Sequence, residues 1–330
     1  MRSDVSSETK ALLVLSMLRG VGSAALRKIG TVKGLGQMSL NDLWFHLPRK
    51  LAENIGPQEL RAAADAAEKQ IDLSAASGTR ILSSADEDYP RLLADTRDDP
   101  QLLFVKGHLA QTPELSVAVI GTREPTNHGK VIAQRLTGFF VGEGWSVVSG
   151  LAIGCDAIAH EAALDSGGHT VAVMAHGLQT IAPSRHKRLA ERILESGGAL
   201  VTEYRFGQEP MATNFVKRDR IQAGLARGVV MVQSDVTGGS LHASRAAIDY
   251  GRWLAVPFPT DQDIRNNEPK VQGNLLLADG LLREKADLLR CGPSDLKNLL
   301  ILRSRDDYQA MLRPAVSSKV DDPPTQGRLL

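Results

Sequence analysis

The chain has 330 residues, which sets a prior of about two domains, and its 42% apolar and 23% charged residues are those of a soluble globular protein able to bury a core. Lysine plus arginine (39) nearly balance aspartate plus glutamate (38), so a generally basic surface is excluded and any polyanion site must be local. The two cysteines, Cys155 and Cys291, exclude a disulfide framework and offer no C-x-x-C metal spacing. With no secretory pattern at the N-terminus and no apolar run of bilayer length, the expectation is a cytoplasmic protein with reduced thiols and no membrane association.

Residues 1–80 lack strand-like runs and read as a small all-α module, of helix-hairpin-helix or SAM-like type. Thr9–Leu18 has apolar positions at helical spacing and ends at Arg19-Gly20-Val21-Gly22; a second helix can begin at Ser23, and Ala62–Lys69 is a third candidate. Leu18–Gly22 with Leu26 fits two readings, a hairpin whose N–H groups grip DNA phosphates or a plain helix corner. Residues 81–115 are a connector punctuated by Tyr89-Pro90, Asp99-Pro100 and Lys106-Gly107, with a short strand over Leu102–Lys106.

Residues 116–258 alternate regularly. Short valine-rich runs at Val117–Ile120, Trp145–Val148, Thr170–Met174, Ala199–Thr202, Val229–Val232 and Trp253–Val256 predict strands covered on both faces. Helices are predicted between them at His128–Val141, Ala157–Asp165, Lys187–Leu194, Asn214–Arg227 and Leu241–Tyr250. This alternation predicts a mostly parallel sheet with right-handed crossovers, hence an extended Rossmann-like α/β domain over 81–285. Residues 286–330 read as a C-terminal tail, polar and disordered beyond Pro314.

Three predicted strand ends carry glycine or small polar residues just before a helix. They are Gly121-Thr122-Arg123, Ser149-Gly150-Leu151-Ala152-Ile153-Gly154 and Thr237-Gly238-Gly239-Ser240. In a parallel sheet all three fall at the carboxyl edge, where ligands bind. Glycine lets the backbone approach an anion, and the following helix offers free N–H donors and a positive dipole end. Thr122, Ser149 and Ser240 add hydroxyls and Arg123 a charged fork. One such turn is commonly just a strand-to-helix corner; three on one edge point to phosphate. The pattern matches neither the dinucleotide fingerprint nor a P-loop, and no cofactor or metal is implied.

Asn214-Phe215-Val216-Lys217-Arg218-Asp219-Arg220-Ile221 opens the fourth helix of this region, with Asn214 as the expected N-cap. Cations beside an aromatic ring suit a single strand held without strong sequence preference. Lys217, Arg218 and Arg220 oppose the helix dipole and would gain from an anion. Phe215 fits a stacking surface and a core residue equally well. Cys155 and His160 read as buried structural residues, Asp156 as a helix cap, and Trp145 and Trp253 as packing residues.

These segments together resemble the DNA processing protein A (DprA, or Smf) family. The resemblance rests on Val119–Arg123, on Val148–Ala152 with Gly154, Asp156, Ala157 and Ala159-His160, and on Asn214-Phe215 with Lys217–Ile221 and Ala223-Gly224-Leu225. Gly238–Leu241 and Gly251-Arg252 leading to Ala255-Val256-Pro257 complete it, over about residues 80–280. It implies an extended Rossmann-like fold, homodimerisation, binding of single-stranded DNA and loading of the RecA recombinase, as in natural transformation. The implied DNA contacts are Arg123, Ser149, Gly150, Lys217, Arg218, Arg220, Gly239 and Ser240. The chain departs from the family at Ile153, at Ala175–Gln179, at Phe258 and at Asp219, whose charge lies beside the expected phosphate site and would weaken binding.

Two other functions fit the same fold: a nucleotide-binding sensor, and a phosphoribohydrolase of the LOG (lonely guy) type. The hydrolases place a glutamate on the helix just after the Gly-Gly turn, whereas Ser240-Leu241-His242-Ala243-Ser244-Arg245 offers no carboxylate before Asp249. The expectation is therefore binding rather than catalysis. Lys217–Arg220 carries more cations than a mononucleotide needs, which favours DNA over a small sensor ligand.

Overall fold

The structure is a computed structural model and describes residues 5–312. The segment beyond Pro314, expected to be disordered, lies outside these residues. The chain begins with α1 (Ser7–Met17), α2 (Ser23–Gly30), α3 (Leu40–Phe45), α4 (Arg49–Ala52) and α5 (Pro57–Ala76). Ser6 caps α1 by accepting from Thr9 N, and Pro57 opens α5, where Glu59 accepts from Gly56 N. The turn over Leu18–Gly22 joins α1 to α2, with Gly20 at φ +87°. α3 and α4 escape a reading by periodicity because each spans little more than one turn.

There follow β1 (Thr79–Leu82), α6 (Arg91–Ala94), β2 (Leu103–Gly107), β3 (Ser116–Ile120), α7 (Asn127–Gly142), β4 (Ser146–Ser149), α8 (Cys155–Asp165), β5 (Thr170–Val173) and α9 (Lys187–Glu195). Then come β6 (Ala199–Thr202), α10 (Ala212–Gly224), β7 (Gly228–Met231), α11 (Leu241–Asp249) and β8 (Trp253–Pro257). α12 (Asp261–Arg265), α13 (Gln272–Asp279), α14 (Leu282–Leu289) and β9 (Leu299–Leu302) close the described region.

The strands form one nine-stranded sheet in the order β1-β2-β6-β5-β4-β3-β7-β8-β9. β1 and β2 run antiparallel to their neighbours and every pair from β6 to β9 is parallel. Alternation along each strand assigns the two faces. Val117 and Val119 of β3 pack under α7 and α8, while Ala118 and Ile120 pack with α10 and α11. α7 buries Ala133, Leu136, Thr137 and Phe140, a helical stripe of one face.

Two sequence expectations need correction. The first 80 residues are not free of strand, since β1 begins at Thr79 and pairs with β2. The segment 286–312, read as tail, carries the end of α14 and then β9, which pairs parallel with β8 and extends the sheet. Leu299–Leu302 is too short to signal a strand without the neighbour that receives it. The helical module is not detached: its core includes Ile81, Leu102 and Phe104, and Gln70 exchanges two hydrogen bonds with the backbone of Phe206.

One glycine sets the packing of the sheet centre. A Cβ on Gly228 would stand 2.0 Å from the Trp253 indole. Gly228→Ala is expected to destabilise the fold by roughly 1–3 kcal/mol through overpacking, read as a lowered midpoint in thermal unfolding.

Candidate nucleic-acid interface

The strand order creates the site. From β3 the chain steps one way to β4, β5 and β6, then returns through α10 to β7 on the other side of β3 and continues to β8 and β9. The turns after β3 and β7 therefore diverge and leave a crevice at their carboxyl ends, the place where open α/β sheets bind ligands. A cleft of about 810 Å³ lies there, bounded by the turn after β3, the turn after β7, the N-terminal half of α10 and Lys270.

The first turn is held from below. Thr122 N donates to Gln233 O at 2.8 Å, and the Gln233 amide exchanges hydrogen bonds with Thr126, the cap of α7. A side chain on Gly121 would meet Cys155 Sγ at 2.5 Å. Arg123 is exposed and lines the cleft. The second turn lies against the first. Cys155 N donates to Thr122 O, and Gly154, at φ +85°, has no room for a Cβ against the backbone of Thr122 and Arg123. Burial raises the Cys155 thiol and keeps it neutral, and His160 is held down to about 3 for the same reason. Thr170 Oγ1 donates to Val147 O and is thus left to accept from His160 Nδ1 at 2.8 Å. In the third turn Ser240 Oγ donates to Ser234 Oγ, and Gly238, Gly239 and Thr237 line the cleft mouth.

α10 departs most from expectation. Its N-cap is Met211, not Asn214, and Asn214 is buried in the first turn with Nδ2 unpartnered. Arg218, expected to face phosphate, is only 3% exposed. Its guanidinium donates to Gly150 O at 2.7 Å, donates to Val173 O and pairs with Asp219 at 3.2 Å, so it ties α10 to the ends of β4 and β5. Asp156 does not cap α8, whose N-cap is Gly154; instead its Oδ2 accepts from Gly150 N and Ala152 N. Arg220 turns away from the cleft and pairs with Glu203 at 2.7 Å and with Asp98. Ser149 is buried and its hydroxyl donates to Val119 O, which removes it as a ligand donor.

Of the residues singled out in sequence, the cleft brings together Gly121, Thr122, Arg123, Phe215, Arg218, Gly238, Gly239 and Ser240. Ser149, Gly150 and Asn214 lie behind it in the packing, Lys217 is exposed on α10 outside its lining, and Arg220 is in a separate ion-pair network. Sequence reading missed Lys270, which pairs with Glu124 at the cleft rim, and the wall residues Gln222 and His242. Lys270 follows Glu268-Pro269 some thirty residues after the third turn, and nothing in its surroundings signals a return to the site.

Burial decides the charge of the floor. It raises Asp156 despite the nearby Arg218 and pushes Asp219 up to about 6. For a carboxyl raised above its unfolded value, the protonated folded form adds stability below about 3.8, and that stability is lost as pH rises through about 6. Asp219→Asn is therefore expected to raise stability at about pH 7.5 by about 3 kcal/mol and to change it little near pH 4, in urea titrations at the two pH values.

With this geometry in hand, the relatives of the chain are informative. The family described as DNA recombination-mediator protein A matches residues 80–291. Protein Smf of Escherichia coli is 40% identical over 180 residues, 54% of this chain and 48% of that protein. The chain thus spans about half the length of the curated relatives it matches first. The X-ray structure of DNA processing protein A (DprA) from Streptococcus pneumoniae superposes with a TM-score of 0.68 at 25% identity, covering 93% of this chain and 98% of the other. A DNA processing protein A structure from Helicobacter pylori, described by its single-stranded DNA binding mode, has a TM-score of 0.53 at 29% identity over 61% of this chain and 88% of its own. A family match over residues 80–291, more than half of the 330, together with a shared fold along nearly the whole length, assigns the chain: it belongs to the DNA recombination-mediator protein A family.

Proposed function

We propose that this chain binds single-stranded DNA in the cleft at the carboxyl edge of the sheet and acts as a recombination mediator that passes the strand to a RecA recombinase. The observation that carries the reading is the convergence, at the switch point of the sheet, of two glycine turns, Arg123 and Lys270 around the Phe215 ring. Glycine turns supply N–H donors to phosphates, the two rim cations neutralise a chain rather than a single group, and the ring offers a stacking surface. The proposed contacts are Gly121, Thr122, Arg123, Phe215, Gly238, Gly239, Ser240 and Lys270, with Lys217 on the path of a longer strand. The H. pylori relative's single-strand binding supports the ligand. The reading includes a homodimer working in the cytoplasm; among the described residues no helix is long and apolar enough to cross a membrane.

Binding rather than catalysis is part of the proposal. Asp156 Oδ2 accepts from two backbone N–H groups, Asp235 accepts from Thr237 N, and Glu124 pairs with Lys270. No carboxylate follows Gly239 before Asp249. The test is fluorescence anisotropy with labelled oligo-dT and the matching duplex at several salt concentrations. The expected result is preference for the single strand, with log K falling against log salt by about 0.7 per phosphate contact. No binding at low salt would remove the reading.

A further inference from the structure

The cleft is not uniformly suited to phosphate. Its rim carries Arg123, Lys270 and the Gly238-Gly239 backbone, but its floor around Arg218 carries two carboxylates, Asp156 and Asp219, for one guanidinium. That guanidinium gives its Nε to Asp219 Oδ1 and its Nη1 to Gly150 O and Val173 O. A phosphate brought to the floor would lie against two carboxyl groups.

The floor presents acceptors instead. Asp219 lines the cleft with its side chain 16% exposed, and only its Oδ1 is engaged, accepting from Arg218 Nε at 3.2 Å and Gln222 Nε2 at 3.0 Å. Its Oδ2 accepts no hydrogen bond from any described residue. Gln222, 2% exposed and also lining the cleft, has its Oε1 unpartnered. Its amide orientation is set by donating Nε2 to Asp219, since the flipped amide would place two acceptors together. Phe215 lies one turn earlier on the same helix and lines the same cleft. Two acceptors without donors beside an aromatic ring match the N–H edge of a stacked ring, not a phosphate.

We propose that Asp219, with Gln222 behind it, reads a nucleobase: the floor accepts an exocyclic amino group, while the rim holds the phosphates. This deepens the single-strand reading and rests on it. The residue makes the site discriminate where cations and stacking alone would not. Cytosine offers an N4 amino donor where thymine offers the O4 acceptor, and the two rings are otherwise similar in size. The other charged or titratable groups near Asp219 are Arg218 and Arg220 on α10, Asp156 at the start of α8, His242 on α11 and His176 beyond β5. Of these only Asp156 is a second carboxyl group, and its Oδ2 is held by Gly150 N and Ala152 N.

The test compares oligo-dC with oligo-dT of about 20 nucleotides, each titrated at about pH 7.5 into the full chain and into Asp219→Asn. The wild type is expected to bind oligo-dC about fivefold more tightly, a fraction of the discrimination a full base contact supplies. Asp219→Asn removes a negative charge and so raises affinity for both strands; the ratio cancels that effect and is expected to fall to about one, because an amide serves either base edge. Equal binding of the two strands by the wild type, or a ratio unchanged in Asp219→Asn, overturns base reading while leaving single-strand binding standing. Failure of the wild type to bind either strand brings down the single-strand reading itself, and this proposal with it.

Discussion

Arg218→Leu is expected to destabilise the protein by about 3–5 kcal/mol, the cost of removing one partner from a buried ion network. Arg218 donates to the carbonyls of Gly150 and Val173 and neutralises part of the charge of Asp156 and Asp219. A leucine fills part of the volume but leaves two carbonyls without this donor and two carboxyl groups without a countercharge at a position 3% exposed. Urea unfolding at neutral pH should show the midpoint falling with little change in slope. Arg218→Glu should be worse, adding a third carboxylate to the cluster. Loss of DNA binding in either variant would follow from displacement of α10 and would not identify Arg218 as a phosphate contact. A midpoint unchanged in Arg218→Leu would mean that the guanidinium is not the tie between α10 and the ends of β4 and β5.

The double variant Arg123→Glu, Lys270→Ala is expected to lose about a hundredfold in affinity for oligo-dT at low salt while unfolding like the wild type. Both side chains reach the cleft rim and neither is part of the core. Charge-assisted contacts of this kind contribute about 1.5–3 kcal/mol each, and two of them set the expected factor. The salt slope should fall by about 1.4, the share of two contacts on a single strand. Lys270 also relieves Glu124, so its loss leaves that carboxylate facing the strand. Wild-type affinity and slope in a folded double variant would remove the rim from the binding path.

The two experiments separate residues that sequence reading had placed together. Lys217, Arg218 and Arg220 were one cluster of cations on a helix start. In the fold Lys217 is exposed, Arg218 is an internal strut and Arg220 pairs with Glu203 and Asp98 on another side of α10. A helix turns by about 100° per residue, so neighbours in sequence face different surroundings. The asparagine expected to cap this helix lies inside it, because the helix begins two residues earlier without a side-chain cap. Asp219 shows the reverse. In sequence it was only an unwelcome negative charge, and in the cleft it is an acceptor with one open oxygen beside Phe215.

What could be read directly from residue order was whatever depends on near neighbours. Valine-rich runs, helical stripes and glycine at strand ends are local patterns, and they sufficed for the alternation of β3 to β8 with α7 to α11 and for placing the glycine turns at one edge of the sheet. Contacts between distant segments carry no such pattern, and tertiary structure alone settled them. β9 becomes a strand because β8 receives it, Lys270 reaches the rim because the chain beyond β8 folds back over the cleft, and Ser149 and Arg218 turn inward because buried carbonyls at Val119, Gly150 and Val173 accept their hydrogens. A buried polar group must find its partner wherever the fold brings one, and that requirement, not propensity, divided the glycine turns and the basic helix into an anion-binding rim and an internal scaffold.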